Sequence, residues 1–451
     1  MDKIQLLQER RNKLLNESAT VRSDIKAIID KDSFVELSAF SFSKNEFFNE
    51  DNAGEGVVTG FATIDGYPYY IVAQNFNELY GGISKANCDK IVKCLDAAEK
   101  NATPVVYFLN TKGVQIGEGV TVLEGLGKLL LRCAQLKGVV PQYVIVNGEV
   151  YGSVAMLAAI ADFTFFVGGK SVLAINSPFV LSANAGKNLP KEEVGGVKAL
   201  AESGIPAFAT ESIEEVRNYI IQLCELMSVP MIDAELNETI PALNEKVDAE
   251  TIMQLFESPI EFGEFSCPNV KTVLGRIGGI SVASVIFASN GEGVELDAAK
   301  LAKIKSFVEF ASCYGLPFIT FGDVKGVAPS MMVNNSRVMK EAAEYLDLLD
   351  TLDTGKVAVV YKQAIGRGYS LFASKSVGFD YTCAFANASI SLFDSVQSAQ
   401  MEFANKEGVA QRYADEYSDP INAAKDGYID AIVEPQFIKQ HLISVLQMFV
   451  K

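Results

Sequence analysis

The chain has 451 residues, of which 49% are hydrophobic, and it carries 56 acidic against 39 basic side chains, a formal charge of -17. At roughly 150 residues per domain this length predicts two or three domains, and the apolar content can bury a core, which excludes a disordered chain. The acidic excess argues against a broad surface for nucleic acid or anionic membranes. A local basic pocket for one phosphate ligand stays compatible with it.

Histidine and cysteine usage narrows the possible chemistry. The only histidine, His441, lies in the periodic stretch FIKQHLISVLQMF, where we expect a packing or surface role. Ser-His-Asp and Cys-His catalytic systems and His-rich zinc sites need imidazoles, so a single histidine argues against all of them. The seven cysteines contain no C-x-x-C pair, which is typical of a reducing cytoplasm without structural zinc. We therefore predict no metal site.

The chain starts with KIQLLQERRNKLL, in which apolar residues have helical spacing on a charged background, and this predicts a peripheral helix. The charged start does not resemble a signal peptide, and no uncharged apolar run reaches the roughly 18 residues of a membrane span. We expect a soluble cytoplasmic protein. From Ala53 onward, short β-rich runs such as YYIVAQNF and PVVYFLN alternate with helical stretches such as ANCDKIVKCLDAAEKN, which indicates an α/β architecture.

An internal repeat organises the chain. The segment from Cys88 to Gly113 has the same order of helix, proline, apolar strand and glycine-ended turn as the segment from Leu301 to Gly326. The shared positions are Lys90 with Lys303, Pro104 with Pro317, Phe108 with Phe321 and Gly113 with Gly326. We predict two related domains, residues 1–225 and 260–451, joined by a connecting segment at 226–259.

Two strand-to-turn junctions could carry chemistry, NGEVYGSVAMLAAIADF from Asn147 and KQAIGRGYSLFASK from Lys362. Each places small residues before a helix whose first backbone N–H groups can bind an anion or a developing oxyanion. Either turn alone could equally be a tight turn packed against a neighbouring strand, but their corresponding places in two repeats favour a functional role. GVQIGEG, from Gly113, matches neither the dinucleotide fingerprint nor the P-loop, so a nucleotide site has little support.

Several short motifs, taken in order, resemble one known family. They are DSFVEL at Asp32, AGEGVVTG at Ala53, AQNFNELYGG at Ala73, EEVGG at Glu192, GRIGG at Gly275, FGDVKGVAPS at Phe321 and SDPINAAKDGYIDAIVEP at Ser418. Together they resemble the carboxyltransferase subunits of biotin-dependent acyl-CoA carboxylases and decarboxylases. The resemblance implies an α/β fold of two tandem crotonase-like (ClpP/crotonase) ββα domains. It also implies a trimeric or hexameric homo- or hetero-oligomer, in which the N-domain of one subunit faces the C-domain of another.

The resemblance further implies a mechanism without a protein base. Carboxybiotin releases carbon dioxide, its ureido nitrogen takes the α-proton of an acyl-CoA thioester, and the resulting enolate attacks the carbon dioxide; decarboxylation is the reverse. The protein supplies orientation and two sets of backbone N–H donors. Biotin is expected in trans on a carrier protein, because the only candidate lysine for biotin attachment, Lys340 in VMKE, lies in a helical stretch. Further expected partners are biotin carboxylase or membrane decarboxylase subunits.

Carried over by position, the resemblance gives candidate residues. The donors to the thioester oxygen are Gly152 and Ser153, and the donors to the ureido oxygen are Arg367 and Gly368. The predicted substrate-binding residues are Gly113, Gly119, Tyr151, Gly326, Tyr369 and Ser370, the last in the place that sorts acyl chains in relatives. The chain departs from the family pattern at Ser153, Arg367, Lys112, Gln115 and Ser330. A side chain at Arg367 could fill the biotin slot, turn outward or assist with its cation.

Three functions stay open at this level. The first is an active carboxyltransferase, and the second is a non-catalytic structural subunit that pairs with a more family-like paralogue. The third is a crotonase-type hydratase or isomerase, which needs a carboxylate base for which only Glu149 is a nearby candidate. The sequence leaves the acyl chain, the direction of reaction and the oligomeric state open.

Overall fold

The computed structural model describes residues 2–45, 50–201, 203–205, 207–228, 237–393 and 409–449. The chain divides into two compact units, Met1–Cys224 and Glu225–Lys451. The described residues of the predicted connecting segment, 226–228 and 237–259, lie wholly in the second unit. The domain boundaries stay a prediction. In the part of the chain that the structure describes, no helix has the length and apolar character needed to cross a bilayer.

The first unit is a mixed sheet with helices. Its helices are α1 Lys3–Glu17, α2 Ala19–Ile28, α3 Lys85–Lys100, α4 Val120–Leu136, α5 Leu157–Ile160, α6 Pro178–Ala185, α7 Lys191–Gly195 and α8 Ile213–Leu226. Its strands are β1 Val35–Leu37, β2 Phe42–Asn45, β3 Glu50–Ala53, β4 Val57–Ile64, β5 Tyr67–Gln74, β6 Val105–Thr111, β7 Gln142–Tyr151, β8 Phe163–Val167, β9 Val172–Ala174 and β10 Ala207–Thr210. The helix predicted at the N-terminus is therefore present as α1, and Leu14 is its buried residue.

The main sheet of this unit has the order β1-β4-β5-β6-β7-β8-β10, with β9 beside the far end of β7. The pairs β1/β4 and β4/β5 are antiparallel, and the remaining pairs are parallel. Apolar side chains of α3 and α4, among them Leu95 and Leu129, pack with those of the central strands in one buried cluster. Parallel strands buried on both faces explain the near-continuous apolar runs in the sequence.

The second unit repeats this plan. Its helices are α9 Ala242–Glu245, α10 Ala249–Met253, α11 Ala298–Cys313, α12 Met331–Asn334, α13 Val338–Thr351, α14 Arg367–Phe372, α15 Val409–Tyr417, α16 Pro420–Lys425 and α17 Ile438–Leu446. Its strands are β11 Glu257–Phe262, β12 Val270–Ile277, β13 Ile280–Phe287, β14 Val294–Leu296, β15 Phe318–Val327, β16 Lys356–Ile365, β17 Tyr381–Phe385, β18 Ser389–Ser391 and β19 Ala431–Val433. The sheet order β11-β12-β13-β15-β16-β17-β19 matches that of the first unit.

The internal repeat is visible element by element. The helices α3 and α11 each have 16 residues, and each starts after a side chain that caps the helix, Ser84 in one and Asp297 in the other. The hairpins β4/β5 and β12/β13 each pair two eight-residue strands. The helical and strand periods seen in the sequence are thus realised at the same places in both units.

Each unit buries the lysine that the repeat placed in its first long helix. Lys90 on α3 donates from Nζ to the carbonyl oxygens of Gly54 (2.8 Å) and Val57 (2.6 Å). Lys303 on α11 donates to three carbonyl oxygens, those of Gly263 (3.0 Å), Ser266 (2.7 Å) and Val270 (2.7 Å). These cations tie the loop before each hairpin to the helix, because a buried carbonyl needs a donor.

Candidate active site: two matched turns

The first candidate turn follows β7. Gly152 has φ 87°, a conformation that favours glycine, and its N–H donates to the carbonyl oxygens of Ala174 (3.2 Å) and Ile175 (3.1 Å). Among the described residues, the N–H groups of Ser153 and Val154, which come next in a short 3-10 turn, have no acceptor. The N–H of Gly152, which was predicted to bind substrate, is therefore bonded to the backbone where β9 ends. Ser153 keeps a free amide.

The second candidate turn follows β16 in the same way. Gly366 has φ 52°, and its N–H donates to the carbonyl oxygen of Ser391 (2.9 Å), at the end of β18. The amides of Arg367 and Gly368 begin α14, and within the described ranges neither has an acceptor. Both N–H groups predicted for this turn therefore lack a bonding partner among the described residues.

The two turns correspond residue by residue. Gly152 and Gly366 each follow the last residue of the central strand and each bond to the neighbouring short parallel strand, β9 or β18. The equivalent amide pairs are consequently Ser153 with Val154 in the first unit and Arg367 with Gly368 in the second. The predicted pair of the first unit, Gly152 with Ser153, differs from this correspondence by one residue. The sequence offset between the units grows by one residue between β6 and β7.

A second glycine lies against each turn. The position of a Cβ on Gly113, which has φ 113°, would be 3.7 Å from the carbonyl oxygen of Tyr151. On Gly326, with φ 105°, it would be 3.5 Å from that of Ile365. Both backbones lie in the region that L side chains rarely adopt, so each glycine is needed for its conformation. The structure thus places Gly113 beside Tyr151 and Gly326 beside Ile365, at the start of the second turn.

Irregular strand pairing precedes both turns. The register of β6 against β7 shifts between Leu109 and Thr111, and that of β15 against β16 shifts between Gly322 and Asp323. Such bulges bend a strand and change the direction of the residues that follow, which is why they are common next to active sites. The matched shifts direct the ends of β7 and β16 into their turns.

Sequence reasoning missed a buried carboxylate beside the second turn. Asp323, which is fully buried, accepts hydrogen bonds from Ser289 Oγ and from Gln363 Nε2 (3.1 Å), and Lys362 Nζ lies 3.7 Å from it. Ser289 in turn accepts from the N–H groups of Gly291 and Gly293. Asp323 therefore holds the loop before β14 against β16. The FGDVKG motif contains this residue, but spacing alone gave no sign of its burial.

The residues around the second turn differ in exposure. Arg367 is exposed, and no ion pair to it occurs in the described part of the chain. Gly368 is buried, and a Cβ there would meet the Val324 side chain and carbonyl oxygen at 2.8 Å, so only glycine lets α14 approach β15 this closely. Tyr369 is half-buried, and burial raises its pKa. Ser370 is exposed and its Oγ donates to the Gly366 carbonyl oxygen at 3.2 Å.

Comparison with known proteins identifies the family. Residues 14–451 match the family model described as the carboxyl transferase domain. The chain belongs to this family. The prediction of a carboxyltransferase-family enzyme is confirmed at that level.

The family's curated members include proteins that match nearly the whole chain. The methylmalonyl-CoA decarboxylase subunit alpha of Veillonella parvula is 27% identical over 455 residues, covering 95% of this chain and 89% of its own. The propionyl-CoA carboxylase carboxyltransferase subunit of Haloferax mediterranei is 26% identical, covering 95% and 90%. The mitochondrial propionyl-CoA carboxylase beta chain of Homo sapiens is 27% identical, covering 95% and 84%.

Solved structures share the fold. A transcarboxylase 12S crystal structure, described as a hexamer assembly with methylmalonyl-coenzyme A and methylmalonic acid bound, matches with a TM-score of 0.89 at 24% identity, over 99% of this chain and 95% of that one. A single-chain, multi-domain long-chain acyl-CoA carboxylase matches with a TM-score of 0.83 at 17% identity, over 99% and 50%. The predicted α/β fold of tandem crotonase-like domains is confirmed.

The remaining predicted residues fall outside the matched turns or serve other contacts. Gly119, with φ 57°, precedes α4 and has no atom within 4 Å of a Cβ position, so the structure does not pack it against the first turn. Gln115 is buried and its Nε2 donates to the Gly82 carbonyl oxygen at 3.1 Å. Ser330 caps α12 through the N–H of Val333. The departures at Gln115 and Ser330 are thus used in local structure.

The candidate side-chain bases are engaged elsewhere. Glu149 forms an ion pair with Lys191; burial would raise the pKa of Glu149, but the hydrogen bond and charge of Lys191 outweigh it and hold that pKa below its ordinary value. Burial also raises the pKa of the nearby Tyr151 phenol. His441 Nε2 lies 2.8 Å from Tyr381 Oη, and burial lowers the histidine pKa. No cluster of three or more His, Cys, Asp or Glu suited to a metal occurs among the described residues.

Proposed function

We propose that this chain is a carboxyltransferase subunit that moves a carboxyl group between an acyl-CoA and biotin carried on a separate protein. The family match over residues 14–451 supports the reaction class. The names of the relatives, which act on propionyl-CoA and methylmalonyl-CoA, support a short-chain acyl-CoA as substrate. Because these relatives include both carboxylases and a decarboxylase, the proposal covers both directions of transfer.

The observation that carries the proposal is the matched pair of turns. In each, the glycine amide is used within the sheet and the next two N–H groups are left without an acceptor among the described residues. We assign Ser153 and Val154 to the thioester oxygen, where they would stabilise the negative charge of the enolate. A single preorganised donor of this kind is worth about 3 kcal/mol, or about a hundredfold or more in rate.

The second turn fits a ureido group. The N–H groups of Arg367 and Gly368 would donate to the ureido oxygen, and the exposed Arg367 side chain is not packed into its own turn. When bound, carboxybiotin supplies the carboxyl group and the basic nitrogen for the α-proton. The chain's own part is to hold the two oxygens and orient the reactants, and this needs neither Glu149 nor His441, which have other partners.

The proposal includes partners in trans. A biotin carrier protein must deliver the cofactor, and a biotin carboxylase or a membrane decarboxylase subunit would set the direction. The related transcarboxylase 12S structure is described as a hexamer assembly, which supports a trimeric or hexameric oligomer for this chain. The coenzyme A thioester is the second substrate.

A proline substitution tests the first turn by deleting one N–H. Ser153 is the first residue of its 3-10 turn, a position where proline keeps the backbone conformation and removes only a donor. The purified chain is given methylmalonyl-CoA or malonyl-CoA with biocytin, and loss of the carboxylated thioester is followed. We expect Ser153→Pro to lower turnover by about a hundredfold or more, because one oxyanion donor is lost.

The control is Ser153→Ala, which keeps the N–H and should retain turnover within about threefold, with both variants melting at the wild-type temperature. Equal activity of Ser153→Pro and wild type would contradict the assignment of this amide. No turnover by the wild-type chain, together with tight co-purification of a second carboxyltransferase-like chain, would instead support the structural-subunit alternative.

A further inference from the structure

The turn Leu79–Gly81 has an unfavourable backbone. Leu79 (φ 45°), Tyr80 (φ 57°) and Gly81 (φ 67°) are all left-handed, and two of them carry side chains. Non-glycine residues in this region cost free energy and persist only where the surrounding structure enforces them. Such strain is concentrated at active sites and ligand clamps, so this turn is a candidate for a binding role.

The turn is attached to the first candidate site. Lys112 N–H donates to the Tyr80 carbonyl oxygen (3.1 Å), and Ile83 N–H donates to the Gly113 carbonyl oxygen (3.0 Å). A Cβ on Gly81 would be 2.2 Å from the carbonyl oxygen of Asn110, so the turn packs directly against the end of β6. Its conformation is therefore fixed by the same segment that places Gly113 beside the first turn.

This arrangement holds a lysine ammonium at the surface. Lys112 Nζ lies 5.2 Å from the centre of the Tyr80 ring and 5.9 Å from that of Phe76. The two rings meet edge to face, with their centres 5.9 Å apart. Aromatic faces attract a cation without neutralising it, so they position the charge and leave it able to bind an anion.

The ammonium has no carboxylate partner of its own in the described residues. Glu149, whose pKa the charge of Lys112 helps to lower, is paired with Lys191. Tyr80 is 64% exposed and Lys112 is also exposed, so an incoming anion can reach the charge. In a chain with a formal charge of -17, this cation lies next to the proposed thioester turn.

We propose that Lys112, positioned by Phe76 and Tyr80, binds an anionic group of the acyl-CoA substrate. This inference rests on the proposed function. The anion is either the free carboxylate of a malonyl-type acyl group or a phosphate of coenzyme A. Lys112 adjoins Gly113, whose Cα would be 3.8 Å from a Cβ on Gly152, so the backbone of Lys112 is next to the residue that packs against the proposed thioester turn.

Calorimetric binding to the full-length protein tests this. Three ligands are compared: methylmalonyl-CoA, propionyl-CoA and the methylmalonyl thioester of N-acetylcysteamine, which has no phosphates. The variants are Lys112→Gln, Lys112→Arg, which keeps a cation, and Lys93→Gln, which removes an exposed lysine from the middle of α3. We expect Lys112→Gln to weaken binding about tenfold, or about 1.4 kcal/mol, and Lys112→Arg to restore most of it.

The pattern of losses identifies the anion. A loss for both methylmalonyl thioesters but not for propionyl-CoA assigns Lys112 to the carboxylate. A loss for both coenzyme A esters but not for the truncated thioester assigns it to a phosphate. Wild-type affinity of Lys112→Gln for all three ligands, or an equal loss in Lys93→Gln, would overturn the inference alone. If the wild-type protein bound none of them, the proposed function would fail and this inference with it.

Discussion

Replacing Lys303 with methionine tests the buried lysine of the second unit. The side chain is 9% exposed, and its ammonium is the donor to three carbonyl oxygens of the loop before β12. Methionine has a similar length and no donor, so Lys303→Met removes the cation without leaving a large cavity. The substitution therefore isolates the hydrogen bonds of one ammonium.

The expected loss follows from two opposing effects. The Gly263 oxygen also accepts from the N–H of Ser266 (2.9 Å), so the oxygens of Ser266 and Val270 are the two that lose their donor. A buried polar group without a partner costs about 2 kcal/mol, so these two oxygens lose about 4 kcal/mol. Burial lowers the pKa of Lys303 from 10.5 to about 8. A change of one in pKa corresponds to about 1.36 kcal/mol, so burying the charge costs about 3 kcal/mol. Methionine avoids this cost. The net loss in the free energy of unfolding is about 1 kcal/mol at pH 7.

Urea unfolding at one fixed protein concentration measures this loss. Lys90→Met is the matched variant. Burial lowers the pKa of Lys90 to about 8 as well, but its acceptor Gly54 O also accepts from the N–H of Val57, so only the Val57 oxygen loses its donor. The cost of about 2 kcal/mol does not exceed the burial cost that methionine avoids, so we expect no loss of stability for Lys90→Met. Lys93→Met, on the exposed face of α3, should change stability by less than about 0.5 kcal/mol. A Lys303→Met protein as stable as the wild type, or less affected than Lys90→Met, would refute the reasoning.

The same pair of proteins has a predicted pH dependence. Below pH 8 Lys303 is charged in both the folded and the unfolded state, and above pH 10.5 it is neutral in both. Between these values the unfolded chain binds more protons, so the wild-type stability rises with pH. The difference between wild type and Lys303→Met should therefore grow from pH 8 to 10.5, and a constant difference would contradict the lowered pKa.

Two further predictions concern the second turn and the single histidine. Arg367→Gly keeps the N–H and removes only an exposed side chain, so biocytin-dependent turnover should stay within about threefold of wild type; a gain of tenfold or more would show that the side chain obstructs the biotin slot. His441 gives the only histidine ring signals in an NMR titration, and their midpoint should lie below 6.5 because burial lowers the pKa. The contribution of His441 to stability is then complete above pH 6.5 and is lost as the pH falls through the folded pKa; a midpoint at or above 6.5 would contradict the burial.

The fold could be predicted because its determinants are local and repeated. Alternating apolar patterns, a helix cap and a glycine-ended turn lie close together in sequence. The matching order of elements in the segments that start at Cys88 and Leu301 could therefore be predicted from the sequence. The structure places α3 and α11 at these positions with the same length. The sequence did not predict which unit contains the described residues 226–228 and 237–259, since a short helix-and-strand segment can join either neighbour.

The candidate site was only partly predictable. Both turns were located from their glycines, and the structure leaves the amides of Ser153, Arg367 and Gly368 without acceptors in the described chain. The hydrogen bonds of the Gly152 N–H were not predictable, because its acceptors, at Ala174 and Ile175, lie more than twenty residues later. A hydrogen bond between segments that are far apart in sequence cannot be predicted from the local spacing of residues.

By itself, the sequence determined the family, the repeated α/β plan, and the absence of enough imidazoles for histidine-based catalysis, because motifs, periodicity and composition are properties of the chain as written. Tertiary structure alone decided which N–H groups are free, why Lys90 and Lys303 are buried, and how Lys112 is held between two rings. These depend on which backbone atoms meet after folding. A donor is free or used, and a charge paired or unpaired, only when its neighbours in space are known.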